Sequence, residues 1–364
     1  MPTRRSLLYA ASSLPIVGAV AAKGQPAPAA SPAAPPSSPA PGVLRLQLGD
    51  AVVTALLDGS IDLPLALFPR AAAADARELL DRGFASTPTR VAVNAFLVQT
   101  AGRTVLIDTG SATGMGPSMG RLPAALAAAG VSPASIDAVA MTHLHPDHVN
   151  GLMAPGGGAA FPNAELVLHA AEHAFWTDDG ARSRAPADVQ PLFIAARAGI
   201  APYAKRTRQL SRADEEVVPG LMAVPLPGHT PGHTGYRVAS SGKDLLVWGD
   251  IVHVPPLQFA RPGWSIAFDV DMDAAAATRL RTLDMARADR SLIAGMHLDF
   301  PAFGHVQGGS EAASYRFVPL PWQAALGGSG SMRTHFVISG LALTKVRAAP
   351  ALQSLDRRWT GWPG

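Results

Sequence analysis

The sequence predicts an α/β (α+β) fold in which two sheets have helices packed outside them. Three observations predict it. From Val43 onward, short β-rich runs come first, each closed by Gly, Asp or Asn. Helix-like runs then alternate with further strands, the pattern of a layered mixed fold. Apolar residues make up 48% of the 364 residues, enough for a large core.

The elements follow in order. MPTRRSLLYAASSLPIVGAVAA (1–22) has two arginines, then an apolar run diluted by Ser, Pro and Gly. The run is too short and too mixed for a membrane span and reads as a cleavable export signal. TRRSLL resembles a twin-arginine signal. KGQPAPAASPAAPPSSPAPG (23–42) cannot bury a core and reads as a semi-rigid spacer. LRLQLGD, AVVTALLDG, VAVNAFLVQT and RTVLIDTG read as strands, PAALAAAG (123–130) as a helix ending in Gly, and IDAVAMTH (136–143) as a buried strand. AELVLHA (164–170) is a strand followed by a helical AEHAFW. LMAVPLPGH, GYRVAS and DLLVWGD are strands. DAAAATRLRTLDMARAD (273–289) is an amphipathic helix with Leu280, Leu283 and Met285 among its apolar positions, and SLIAGMH is a last buried strand. GGSGS (327–331) marks a break. The expected organisation is signal 1–22, spacer 23–42, one catalytic domain 43–322 and a loosely attached extension 323–364.

Composition excludes several classes. With no cysteine there is no disulfide, thiol catalysis or thiolate ligand. The formal charge is only +3 and the basic residues are scattered, so no tract tracks a nucleic-acid backbone. A metal site here is built from His, Asp and Glu, which favours zinc, with manganese, iron or cobalt in the same role.

The stretch MTHLHPDHVNG (141–151) crowds His143, His145, Asp147 and His148 behind a buried strand. In extended chain, i and i+2 point the same way, so His143 and His145 aim at one ion. Pro146 breaks the strand, and Asp147 and His148 swing in from the next turn to serve a second. PGHTPGHT (227–234) offers His229 and His233. Pro231 and Gly232 between them rule out one helix face, and residue spacing does not say which is the ligand. Asp250 ends the apolar strand of VWGD, and its two oxygens suit a bridge between cations. His297 follows the strand SLIAGM.

The set H-x-H-x-D-H, PGHTPGH, GD and a late His resembles metallo-β-lactamase-fold hydrolases. GDAVVTALLDG, MTHLHPDHVNGLM, GDIVHVPPLQF and YRFVPLPW look closest to the methyl parathion hydrolase branch, across residues 43–322. The resemblance implies an αββα sandwich, a homodimer and two Zn2+ per chain. It assigns His143, His145 and His229 to one zinc, Asp147, His148 and His297 to the other, and Asp250 to the bridge. Two ions that share a water lower its pKa, so the bridging hydroxide can attack an ester or phosphoryl centre. Asp147 and Asp250 are thus the carboxylates placed at the chemistry.

By the same resemblance, Trp176 and Phe193 line the substrate pocket. Met115, His253 and Asn150 depart from the branch: Met115 replaces an aromatic, His253 an aliphatic residue and Asn150 a glycine. Met115 and His253 are expected in the pocket wall. Asp108, ending LIDTG, either braces a ligand histidine or only forms a turn. His233 and His305 are expected to be structural, and His169 and His173 to be non-ligands. The reading is a periplasmic or secreted dinuclear zinc hydrolase acting on small neutral esters or lactones. It has a small-molecule substrate, no nucleic-acid partner and no stable membrane anchor after signal removal. The alternative is phosphotriester hydrolysis. Less favoured are a mononuclear iron dioxygenase and a metal-binding protein without turnover.

Overall fold

A computed structural model describes residues 39–311 and 314–321. The expected signal, residues 23–38 of the spacer, and the extension 323–364 lie outside the described residues. The chain divides into two units, 1–40 and 41–364, and every element below belongs to the second.

The first sheet runs in chain order: β1 Val43–Leu48, β2 Ala51–Leu63, β3 Thr89–Thr100, β4 Arg103–Ile107, β5 Ala138–Ala140, β6 Glu165–His169 and β7 Thr207–Leu210. β1 to β4 pair antiparallel, and β4 to β7 pair parallel. The second sheet contains β8 Glu216–Val218, β9 Leu221–Pro225, β10 Thr234–Ser240, β11 Lys243–Val247, β12 Leu292–Ala294, β13 Phe303–Gly308 and β14 Tyr315–Pro319, again with sequence neighbours adjacent. Its one parallel pair is β11 with β12.

Alternation along β3 explains the layering. Phe96 and Val98 face the second sheet, in one cluster with Val105, Ile107, Ala223, Tyr236 and Leu246. Ala95 and Leu97 face the other way, onto helices that cover the first sheet. Those helices include α2 Leu122–Ala128, α4 Ala170–Thr177 and α6 Gln190–Ile200, while α1 Ala73–Arg82 and α7 Pro255–Gln258 pack together in a satellite cluster. α3 Pro146–Val149 and α5 Asp179–Arg184 are short, and α8 Met272–Ala288 packs against β13.

Two expectations change. SLIAGMH is not the last strand, because β13 and β14 follow it and extend the second sheet. On α8, Leu283 is buried but Leu280 is exposed; the inward face is Ala275, Thr278, Arg279, Thr282, Leu283 and Ala286. Small and hydroxylated residues, plus one bonded arginine, give that face too little apolar contrast for a periodicity reading. Among the described residues no helix is long and apolar enough to cross a membrane.

The topology places the candidate site. β4, β5, β9, β11 and β12 all end at the same rim, so Asp108, His143, His229, Asp250 and His297 leave strand ends into neighbouring loops. The two sheets are tied together there. Asn94 of β3 donates its backbone N–H and its side-chain amide to Met296 O, both at 2.9 Å. Thr234 N–H donates to Thr142 O at 2.9 Å, and Tyr236 Oη–H to Met141 O at 2.7 Å.

Candidate metal centre

β5 delivers His143 and His145 in extended chain; His145 has ψ 155° and sits just before Pro146, which opens α3. Three ring nitrogens converge. His143 Nε2 lies 3.0 Å from His145 Nδ1, His145 Nδ1 lies 3.0 Å from His229 Nε2, and the third side is 3.2 Å. All three residues are buried. Burial and the neighbouring imidazoles push His143 and His145 well below the ordinary histidine range. Three buried rings that turn nitrogens on one point suit a divalent cation.

A second group faces the first. Asp147 Oδ2 lies 3.3 Å from His148 Nε2 and 3.5 Å from His297 Nε2. Asp250 Oδ2 stands between the groups: 3.0 Å from His297 Nε2, 3.4 Å from His148 Nε2, 3.5 Å from His229 Nε2 and 3.7 Å from His143 Nε2. Burial opposes ionisation of Asp250, but His148, His297 and His143 outweigh it and hold its carboxyl well below the usual range. Burial likewise opposes protonation of His148, yet Asp147, Asp250 and Asp108 raise its proton affinity. The cluster attracts positive charge. His148 Nε2 and Asp250 Oδ1 are buried without a hydrogen-bond partner, as cation-facing atoms would be. The seven residues therefore fit one or more divalent ions.

The rings are aimed from behind. His143 Nδ1 bonds to Thr142 Oγ1 at 3.0 Å, Thr142 Oγ1–H donates to Asp108 Oδ2 at 2.7 Å, and His148 Nδ1–H donates to the same oxygen at 2.8 Å. Asp108 thus braces two candidate ligand histidines rather than only forming a turn. His229 Nδ1–H donates to Asp269 Oδ1 at 2.8 Å, and His297 Nδ1–H to Ala92 O at 2.9 Å. Arg279, buried on α8, lies 3.4 Å from Asp269 Oδ2 and donates to Ile251 O at 2.6 Å.

His233 is structural. Its Nδ1–H donates to Leu226 O at 2.8 Å, and its Nε2 accepts the N–H of Asp250 at 2.9 Å, which leaves neither nitrogen for an ion. Burial takes it down to about 3. The second histidine of PGHTPGH therefore holds the backbone of Asp250. Gly249 is needed beside it: φ is +62°, and a Cβ there would lie 2.3 Å from His233 Nε2. His305, on β13, bonds to Ser291 O just before β12, and His169 caps α4 by accepting Ala171 N–H.

Above the candidate ligands lies a cavity of about 100 Å3, lined by His145, Asp147, His229, Asp250 and His297. Its remaining walls are Ile61, Leu63, Met115, Pro146, Leu192, Phe268 and His253. Met115 and His253 are where the sequence placed them. Trp176 and Phe193 are not. Both are about 1% exposed and sit in the helix-covered core. α6 turns Leu192 to the cavity, so Phe193, about 100° further round the helix, faces inward. Trp176 touches the edge of the His145 ring at 5.4 Å between centroids but does not reach the cavity. A larger cavity, about 560 Å3, lies beyond the loop carrying Met115. None of the seven candidate ligands lines it, so chemistry and not size selects the smaller one.

His253 is 2% exposed, and neither ring nitrogen has a hydrogen-bond partner, although Nε2 lies 3.3 Å from Asp250 Oδ2. Burial takes it down to about 4, so the ring is neutral at physiological pH. Sequence reading missed Asp269, Arg279, Thr142 and Glu172. Only Glu172 left a trace, as a lone acid one helical turn before Trp176.

Residues 88–297, more than half of the chain, match the family model described as the metallo-beta-lactamase superfamily. A solved structure described as hydrolase AbOPH of the beta lactamase superfamily is 32% identical, with a TM-score of 0.73 over 79% of this chain and 100% of that one. AidC, described as a dizinc quorum-quenching lactonase, is 24% identical, with a TM-score of 0.72 over 78% of this chain and 99% of that one. A probable metal-dependent hydrolase from Staphylococcus aureus is 23% identical, with a TM-score of 0.60 over 69% of this chain and 91% of that one. The last two show likeness of fold. A comparison with curated protein sequences gives no match.

Proposed function

We propose that this chain, which belongs to the metallo-β-lactamase superfamily, is a dinuclear zinc hydrolase of small neutral esters or lactones. One observation carries the reading. Two groups of three ligand atoms face each other across Asp250 on the floor of a largely apolar cavity. His143, His145 and His229 would hold one ion, Asp147, His148 and His297 the other, and Asp250 would bridge them. Two bound ions would supply Lewis acidity and a hydroxide nucleophile near neutral pH.

The chain's own residues do the rest. Ile61, Leu63, Met115, Leu192 and Phe268 offer apolar surface, which favours an uncharged substrate and excludes water around it. Asp147 is the most accessible of the seven ligands, its side chain 14% exposed. His253, neutral and with no hydrogen-bond partner for either ring nitrogen, is placed to donate its ring N–H in a hydrogen bond to a substrate oxygen. Met115 and His253, which depart from the methyl parathion hydrolase pattern and line the cavity, support the ester or lactone reading over the phosphotriester one. The leader at residues 1–22 supports export to the periplasm or beyond. The motif likeness supports descent from the methyl parathion hydrolase branch, with its homodimer.

The test is kcat/KM of the zinc-loaded protein on an aryl lactone and on a dialkyl aryl phosphotriester, with metal content measured on the same sample. A large lactone preference with two zinc ions per chain is expected. A phosphotriester preference would move the assignment to that chemistry. One iron per chain with thiol-dependent oxygen uptake would replace hydrolysis with dioxygenation.

A further inference from the structure

Glu172 takes no part in the site as described so far, yet its carboxylate touches both loops that build the three-histidine group. It is about 1% exposed, on α4. Oε1 accepts the Leu144 N–H at 2.9 Å and the Trp176 Nε1–H at 2.6 Å. Oε2 accepts the Thr230 Oγ1–H at 2.6 Å and the Gly232 N–H at 3.0 Å. Leu144 stands between His143 and His145, and Thr230 follows His229. The same carboxylate fixes Trp176, whose ring lies against His145. The contact is close enough that Gly232 is required: a Cβ there would lie 2.2 Å from the Glu172 backbone nitrogen.

The two loops come from different sheets. At their base they are joined by the Thr234–Thr142 backbone bond. Nearer the ligands, Glu172 supplies the link. The opposite group is held by other means: Asp108 on His148, and the Ala92 carbonyl on His297. A carboxylate with all four bonds made to donors is poorly replaced, because each donor it leaves is a buried N–H or O–H.

We propose that Glu172 is the positioning residue of the three-histidine position: it sets the separation of the loops carrying His143, His145 and His229. It thereby sets that position's affinity for its divalent ion without changing that of Asp147, His148 and His297. This rests on the dinuclear reading above. Glu172→Gln turns an NH2 group toward either Leu144 and Trp176 or Thr230 and Gly232, donor against donor, and one loop is released.

The experiment is stepwise zinc removal from the full-length protein by a chromophoric chelator, with metal content followed at each step. Wild-type protein is measured first; fewer than two ions there would refute the dinuclear reading before any variant is considered. In Glu172→Gln, one ion is expected to be held about 10- to 100-fold more weakly, the other unchanged. Cobalt substitution should show the loss in the absorption of one ion only. Thr230→Val removes a single bond of the four and is expected to shift the same ion in the same direction by less, which decides the matter if Glu172→Gln does not fold. Two ions weakened in parallel, or neither, would overturn the proposal, because a residue that only supports the fold has no means of separating them.

Discussion

Replacing Asp108 by Asn changes one atom and leaves the backbone undisturbed, because Asn accepts the left-handed φ of +60° found there. The wild-type proton order follows from the partners. His143 Nδ1–H donates to Thr142 Oγ1, whose own proton goes to Asp108 Oδ2, and His148 Nδ1–H goes to the same oxygen. Both Nε2 atoms are left as lone pairs facing the centre. Asn has one accepting end and one donating end. With NH2 in place of Oδ2, Thr142 must turn its hydroxyl round, and both histidines then carry their protons on Nε2, where ions would sit. With NH2 in place of Oδ1, it meets the Thr142 N–H that Oδ1 accepts at 2.7 Å. That orphaned buried donor costs about 1–3 kcal/mol. Because the second arrangement carries that cost, the first is expected, and the ions beside His143 and His148 should each be held about 10- to 100-fold more weakly, which is about 1.4–2.8 kcal/mol at about 1.4 kcal/mol per decade. Chelator competition on the full-length zinc protein measures it, with kcat/KM on an aryl ester alongside. Two ions held with wild-type affinity in Asp108→Asn would refute the tautomer argument.

Two other outcomes are expected. Asp250→Ala should lower metal content and rate together, while His305→Ala keeps about two ions per chain; full activity in Asp250→Ala would end the dinuclear reading. The metal-free protein should melt at its highest temperature near neutral pH. Burial holds His143, His145, His233 and His253 below the ordinary value of about 6.5, so the unfolded chain takes up their protons first and stability falls as pH drops from 7 to 5. His148 and His297, raised by their carboxylates, stabilise the fold below that value and cease to do so as pH rises through their own. A melting temperature that stays flat from pH 7 to 5 would show that the buried rings protonate in place.

The sequence alone determined the strand-first order, the two sheets and the ligand-bearing turns. Each is written in local pattern: β-branched runs closed by Gly and Asp, and histidines two apart in extended chain before Pro146. It also named the seven candidate ligands, the choice of His229 over His233 coming from family likeness. Only the tertiary structure decided why His233 is excluded, since that depends on Leu226 O and Asp250 N–H meeting its two nitrogens. The structure alone moved Trp176 of α4 and Phe193 of α6 from the pocket into the core; on α6 a single position turns a side chain through about 100°, which gives the cavity Leu192 and the core Phe193. The bracing roles of Asp269, Glu172 and Arg279 went unread for a related reason. A brace is defined by the atom it bonds across the fold, and no spacing along the chain records which loop will lie opposite.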